Sequence, residues 1–397
     1  MNSTAAPLEE DVRPVSIPAR DDADLERLRA FGAELDRILR DAEARIGEED
    51  LRYIRNMHRV SVACEVAGRG LIWVSLDPFT FGLGVLTLFV HKQLQFTELG
   101  HSVLHGIYDK MPGAERFHSK TYKWKIPIED ASWQNGHNLH HHSYTNVAER
   151  DPDIRFGTIR LTQQTPHKLM HYTQLPVALL CLFPNFMFLT NLHFTGVFDA
   201  IGLHDRPDFL PDRSRASQRK AFATALRKYL PYYGKEYVLL PLLAGPGFAK
   251  VAFGNWLSGT LRDIYSASAV FCSHIGIDAG QFPPGTKARN RAEWYAMQIE
   301  ATNDFYTSRI GSYLWGALDL QIEHHLFPRL PNNRLREIAP LVEDACKRHG
   351  VTYTRRPFAE ILKRSLTQVA RASVDAERPL LRRLGDAVKR RIPGFRR

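Results

Sequence analysis

The stretch His137-Asn138-Leu139-His140-His141-His142 places four histidines in six positions. On an α-helix, His137, His140 and His141 stand at i, i+3 and i+4 and share one face. His142 is rotated about 140° from His137 on an ideal helix, which makes it the weaker member of the set. The same spacing returns far downstream, where Gln321, His324 and His325 repeat i, i+3 and i+4 with glutamine leading. His101 and His105 stand at i and i+4 upstream. Imidazole-rich sets with almost no thiolate suit iron, zinc, copper or nickel and do not suit magnesium or calcium. So many clustered histidines exceed what one ion binds, so two ions are expected. A structural zinc site closes with four ligands. Two nitrogen-held ions with open positions suit dioxygen chemistry instead, and carboxylate-bridged helical bundles use glutamate with Glu-x-x-His. His274 ends an apolar run, where one further ligand can enter. Glu98, Asn146, Asp151 and Glu323 lie in or beside the boxes as candidates to orient ligand imidazoles from behind, as does Asp153.

The rest of the composition narrows the class. The chain has 397 residues, 44% of them hydrophobic and 24% charged, which excludes a disordered or low-complexity protein. Four dispersed cysteines (Cys64, Cys181, Cys272, Cys346) form no CxxC and exclude a disulfide scaffold or a cysteine-held metal. Lys+Arg 53 against Asp+Glu 43 gives +10. The basic residues are scattered and accompany apolar segments, so a nucleic-acid role is not expected.

The mean hydropathy of −0.30 hides segregation. Residues 78–90 carry no charge, and residues 59–100 can hold two helices as a hairpin. Residues 173–198 contain no Asp, Glu, Lys or Arg, and residues 237–277 are interrupted only by Lys250, Arg262 and Asp263. A membrane helix needs about 20 mostly apolar residues. The loop 199–235 is rich in Arg and Lys, which assigns it to the cytosol. Pro176 and Pro184 break 173–198, so this stretch is expected to be embedded without crossing. The crossing pair is then about 222–244 and 248–275, divided by Ala244-Gly245-Pro246-Gly247. The expected fold is an all-α integral membrane protein with roughly four transmembrane helices plus embedded or interfacial helices, capped by a cytosolic helical domain holding the di-metal histidine site. Residues 1–55 form an N-terminal cytosolic tail and helix, 56–360 the membrane domain with all three boxes, and 361–397 a basic C-terminal tail. Residues 1–20 lack the basic start and apolar core of a signal peptide. Both termini are expected in the cytosol, and the membrane is the inner membrane if the source is bacterial.

The boxes resemble those of the membrane-bound fatty acid desaturase family. Gly100-His101-Ser102-Val103-Leu104-His105-Gly106 resembles the first box. His137 to Asn146, followed by Asp151-Pro152-Asp153, resembles the second. Gln321-Ile322-Glu323-His324-His325-Leu326-Phe327-Pro328 resembles the third in the leading-glutamine form of front-end and related bacterial enzymes. The likeness runs over about residues 60–360. Ser102 departs from it, standing where Asn or Asp is common. The second box reads as H-x-x-H-H through His140 and His141 or as H-x-x-x-H-H through His141 and His142; the family shows both.

The resemblance implies two non-haem iron ions, a long-chain acyl substrate on coenzyme A or phospholipid, dioxygen, and two electrons from a separate protein. No His-Pro-Gly-Gly haem motif occurs in these residues, so the donor is expected to be ferredoxin-like with an NAD(P)H reductase. Aromatic residues of the apolar segments (Trp73, Phe79, Phe81, Phe89, Phe96, Phe183, Phe186, Phe188, Trp256) are candidates to line an acyl tunnel. Two rivals remain at this level: a di-iron hydroxylase or ketolase on the same scaffold, and a non-catalytic membrane metal-binding protein.

Overall fold

A computed structural model describes residues 22–374 except 158, 163–164 and 205–207. The far N-terminal tail and the basic C-terminal stretch beyond 374 lie outside the described residues. The fold is helical, with a single two-stranded parallel pair among the described residues, β1 (Asp304–Tyr306) against β2 (Arg355–Pro357).

Two long hairpins form the apolar half. Helix α1 (Asp22–Glu43) precedes the first, made of α2 (Glu48–Val74) and α3 (Pro78–Leu94). Three acidic residues, Glu48, Glu49 and Asp50, complement the N-terminal dipole of α2. At the turn, Asp77 Oδ1 accepts from the Thr80 amide at 2.8 Å and Pro78 occupies the first helical position, which sets the start of α3. The two helices approach closely because glycine faces the partner on each. A Cβ on Gly68 would lie 2.6 Å from Leu88 N, and one on Gly84 would lie 2.8 Å from Ile72 N.

The second hairpin begins with α4 (Arg215–Gly234), which continues to residue 243, and returns through α5 (Phe248–His274). Its turn falls at Gly245–Gly247, as the sequence suggests. Lys250 Nζ donates to the carbonyls of Trp73 at 3.0 Å and Ser75 at 2.7 Å, so the tips of both hairpins meet. Halfway down, Lys92 Nζ lies 3.1 Å from Glu236 Oε2 and donates to Asn255 O at 2.8 Å. Arg69 binds the other oxygen of Glu236 at 2.6 Å. These buried charges are paired, which makes the hairpins one unit. Outward, the same hairpins expose apolar side chains: Leu76 in the first turn is 99% and Phe79 81% exposed, and Val66, Val74, Leu239, Leu243, Phe253 and Trp256 are also exposed. So extended an exposed apolar surface marks an interaction with something other than water.

Among the described residues, one helical run is long and apolar enough to cross a membrane by length and composition alone: Leu169–Phe194. It is segmented, with 3-10 turns at Leu169–Thr173 and Phe183–Asn185 and a π turn at Ala178–Leu182. Pro176 and Pro184 fall within it.

The other half is a helical cap. Helix α6 (Arg291–Ala301), α7 (Gln321–Leu326) and α8 (Asn332–His349) pack with α1 around Phe31, Leu35, Tyr295, Ile322, Leu335 and Ile338. Helix α9 (Phe358–Ala372) buries Ile361 and Val369 in the main core beside Phe271 and Phe305. Residues 361–372 are therefore packed helix, whereas the sequence suggests that a tail begins at 361.

Candidate metal centre

The imidazoles come from the ends of elements that run into the interface between the halves. Helix α3 does not stop at Leu94. It widens into a π turn, Gln95–His101, and ends in a short helical piece, Ser102–Leu104. π turns mark functional sites in many helices because they re-aim side chains without breaking the backbone ladder. Trp124 Nε1 donates to Gln95 O at 2.7 Å within this turn. Gly100 leaves the room: a Cβ there would lie 1.6 Å from Trp124 Nε1.

The second box begins at a short helix, Asp130–Trp133, started by Glu129, whose Oε2 accepts from the Ser132 amide at 2.6 Å. A second π turn spans Gln134–His141, and the His142 amide donates to His137 O, five residues back. That bond overturns the ideal-helix expectation. In an i→i+5 turn the residue five positions on returns beneath the first, and the residue three positions on is turned away. His142 is accordingly buried beside His137, with Nε2 atoms 3.2 Å apart. His140 is partly exposed and packs its ring against Phe209, away from the other imidazoles. The sequence-based ranking of these two histidines is thus reversed by the geometry. The third box lies on α7, and His274 is the last residue of α5.

The rings gather into two groups. His101, His105, His137 and His324 each offer a nitrogen within 4.8 Å of the others, and so do His141, His274 and His325. His142 lies between them, its ring centre 4.9 Å from that of His324 and 4.2 Å from that of His325. Gln321 Nε2 sits 2.8 Å from His274 Nε2. His105 Nε2, His141 Nε2, His324 Nε2 and His325 Nε2 are buried with no hydrogen-bond partner among the described residues. Each such atom costs about 1–3 kcal/mol unless something binds it. His101 Nε2 is 3.3 Å from His137 Nε2. Two nitrogens about 2.0–2.1 Å from one ion at a tetrahedral angle are about 3.3 Å apart. The donor set therefore fits two metal ions.

Electrostatics agree. Burial holds His105, His137, His142, His324 and His325 well below the usual histidine range, which keeps them neutral and their lone pairs free. His141 is the exception. Burial pushes it down, but the carboxylates of Asp151 and Asp153 outweigh that and raise it to about 9. Asp151 Oδ1 is 3.0 Å from His141 Nδ1, and Asp151 is itself held by the amides of Asn146 at 2.7 Å and Asp153 at 2.9 Å. This holds a proton on Nδ1, so that a metal ion would displace the proton of Nε2 to bind there.

The other residues flanking the boxes tie the scaffold instead of touching imidazole nitrogens. Glu98 accepts from Tyr53 at 2.6 Å and Asn332 at 2.8 Å and pairs with Arg336. Asn146 Nδ2 donates to the carbonyls of His274, Gly280 and Ala301. Glu323 accepts from Tyr353 at 3.0 Å. The partner of His325 is one that sequence reading missed: Gln298 Oε1 lies 3.0 Å from His325 Nδ1 and also accepts from Thr145 Oγ1 at 2.9 Å. A lone glutamine on a helix carries no signal in the sequence.

A sequence profile of the fatty acid desaturase family matches residues 78–357, which includes all three boxes. The chain belongs to the fatty acid desaturase family. It is 32% identical over 348 residues to the NADPH-dependent stearoyl-CoA 9-desaturase of Mycobacterium tuberculosis (strain ATCC 25618 / H37Rv), covering 85% of this chain and 77% of that protein. It is 26% identical over 282 residues to the sn-1 linoleoyl-lipid 6-desaturase of Synechocystis sp. (69% and 75% covered). It is likewise 26% identical over 278 residues to human fatty acid desaturase 3 (68% and 57% covered). This protein is thus a fatty acyl desaturase, an oxidoreductase.

The desaturase also has a cleft of the right chemistry. Phe96, Phe156, Phe186, Phe194 and Phe271 line it together with His101, His137, His274 and Gln321. Of the aromatic candidates from the sequence, Phe96 and Phe186 line this cleft. Phe79 and Trp256 face outward, Phe81 stacks on Phe253, and Phe183 packs on Phe271.

Proposed function

We propose that the desaturase holds two non-haem iron ions and uses dioxygen to insert a double bond into a long acyl chain, carried by coenzyme A or a membrane lipid. The two electrons come from a separate ferredoxin-like protein with an NAD(P)H reductase. The observation that carries this reading is the apolar cleft, whose lining includes His137 of one imidazole group and His274 of the other. One turnover removes a hydrogen atom from each of two adjacent acyl carbons. With one dioxygen, two electrons and two protons it yields the alkene and two waters. Removing hydrogen from an unactivated methylene is beyond a side-chain acid or base, and the bound iron pair supplies that oxidising power.

His101, His105, His137 and His324 would hold one ion, and His141, His274 and His325 the other. His142 stands between them and Gln321 beside His274. Asp151 and Gln298 fix the rings behind. The aromatic walls exclude water and hold one C–C bond in position, where an error of about 1 Å costs about two orders of magnitude in rate. NADPH stands in the name of the mycobacterial relative, which supports a reductase-fed donor.

The protein works as an integral membrane protein of roughly four crossings: α2, α3, residues 222–244 and α5. The meeting of Lys250 with Trp73 and Ser75 supports entry of both hairpins from one side. Leu169–Phe194 lies embedded without crossing. Gln174 near its start binds Arg160 O and Val369 O, Phe183 touches Phe271, and the Glu129 amide binds Asn191 near its end. The boxes and both termini then face the cytosol.

The test is expression of the chain in a host followed by lipid profiling, beside a His325→Ala control. Acyl products two hydrogens lighter, absent in the control, together with about two irons per purified chain, support the reading. Products that gain oxygen, or metal bound without dioxygen uptake in the presence of reductant and acyl substrate, overturn it.

A further inference from the structure

Two separate openings reach the imidazoles, and no residue lines both. The acyl cleft touches His101, His137, His274 and Gln321. A second, wider depression has His105 and His142 at its floor, with Gln134, Asn138, Leu139 and Arg329 around it. Its wall is rigid: Gln134 Nε2 and Asn138 Nδ2 both donate to Leu104 O at 2.9 Å. Its rim includes Leu139, 63% exposed, and Arg329, exposed and without an ion pair among the described residues. The lining set contains a cation and no carboxylate.

We infer that this depression is the docking site of the electron donor, a small one-electron carrier whose redox group is rimmed by carboxylates. The inference rests on the reading of the protein as a dioxygen-dependent desaturase. Each turnover takes two electrons from outside, one per donor encounter, and the donor is oxidised as each electron passes to the iron pair. While the acyl chain fills its own cleft, that route is closed. The second opening still reaches His105 and His142. Arg329 matches an acidic rim, and Leu139 supplies the apolar contact that short-lived docking needs at its centre. The net charge of +10 steers the same kind of partner.

The experiment uses the full chain in lipid nanodiscs with an acyl substrate and compares Arg329→Glu and Leu139→Ser with wild type. Iron content reports folding of the site. Turnover is driven either by an acidic ferredoxin with its NADPH reductase or by dithionite. The expected result is an apparent KM for ferredoxin raised about tenfold in Arg329→Glu, with weaker dependence on salt, and a smaller rise in Leu139→Ser. Dithionite-driven turnover and iron content stay at the wild-type level. Iron-loaded variants that keep the wild-type KM and salt dependence overturn the docking site. Wild-type protein that loads iron but forms no alkene with either reductant overturns the functional reading beneath it.

Discussion

His141 Nδ1 and Asp151 Oδ1 stand 3.0 Å apart, and both side chains are fully buried. A buried carboxylate behind a ligand imidazole fixes the ring and strengthens its outward nitrogen. Asp151→Asn keeps the volume and loses the charge. The expected result is metal affinity weaker by about 10–100-fold at the His141 group only. Iron should fall from two towards one per chain while His101, His105, His137 and His324 keep theirs. Two tightly held irons in the variant contradict this.

The π turn over the second box separates two adjacent histidines. His140→Ala should keep two irons and wild-type turnover within about twofold, since a partly exposed side chain away from the site costs little. His142→Ala should lose most of its turnover and part of its iron. The pair is checked by iron analysis and product formation on the same preparations, and the reverse pattern restores the ideal-helix ranking.

Gly100 sits where the first box passes Trp124. Gly100→Ala inserts a methyl into space held by the indole, and overpacking of this kind costs about 1–3 kcal/mol. It also shifts His101, the next residue. A lowered melting temperature together with lost iron is expected. A variant with unchanged melting shows that the indole can move aside.

In the metal-free protein the buried imidazoles should outnumber the buried carboxyls that pull the other way, such as Glu300, which burial raises to about 7, and stability should fall below pH 6.5. Burial holds His105, His137, His142, His324 and His325 below the ordinary value of 6.5, so the unfolded chain takes up these protons first. More protons bound when unfolded means that stability falls as pH drops below 6.5. His141 acts in the opposite sense: its contribution is complete below 6.5 and is lost as pH rises through about 9. Thermal melting of chelator-treated protein across this range tests the sign. A melting temperature that climbs on acidification from 6.5 to 5 refutes it.

The three boxes, the expectation of two ions, a helical hairpin within residues 59–100 and the turn that divides 237–277 were legible in the residues. Each is a local pattern: imidazole spacing, an uncharged run, a glycine-proline turn. Asp151 was visible for the same reason, lying ten residues from His141. Which second-box histidine turns inward was not, because spacing rules assume 3.6 residues per turn and the chain there winds more widely. Gln298 behind His325, and the separation of an apolar opening from a polar one, were also out of reach. Both depend on side chains distant in sequence that meet only when the cap closes on the hairpins. Local chemistry thus announced the clustered imidazoles, and long-range packing decided which way each ring points and what can approach it.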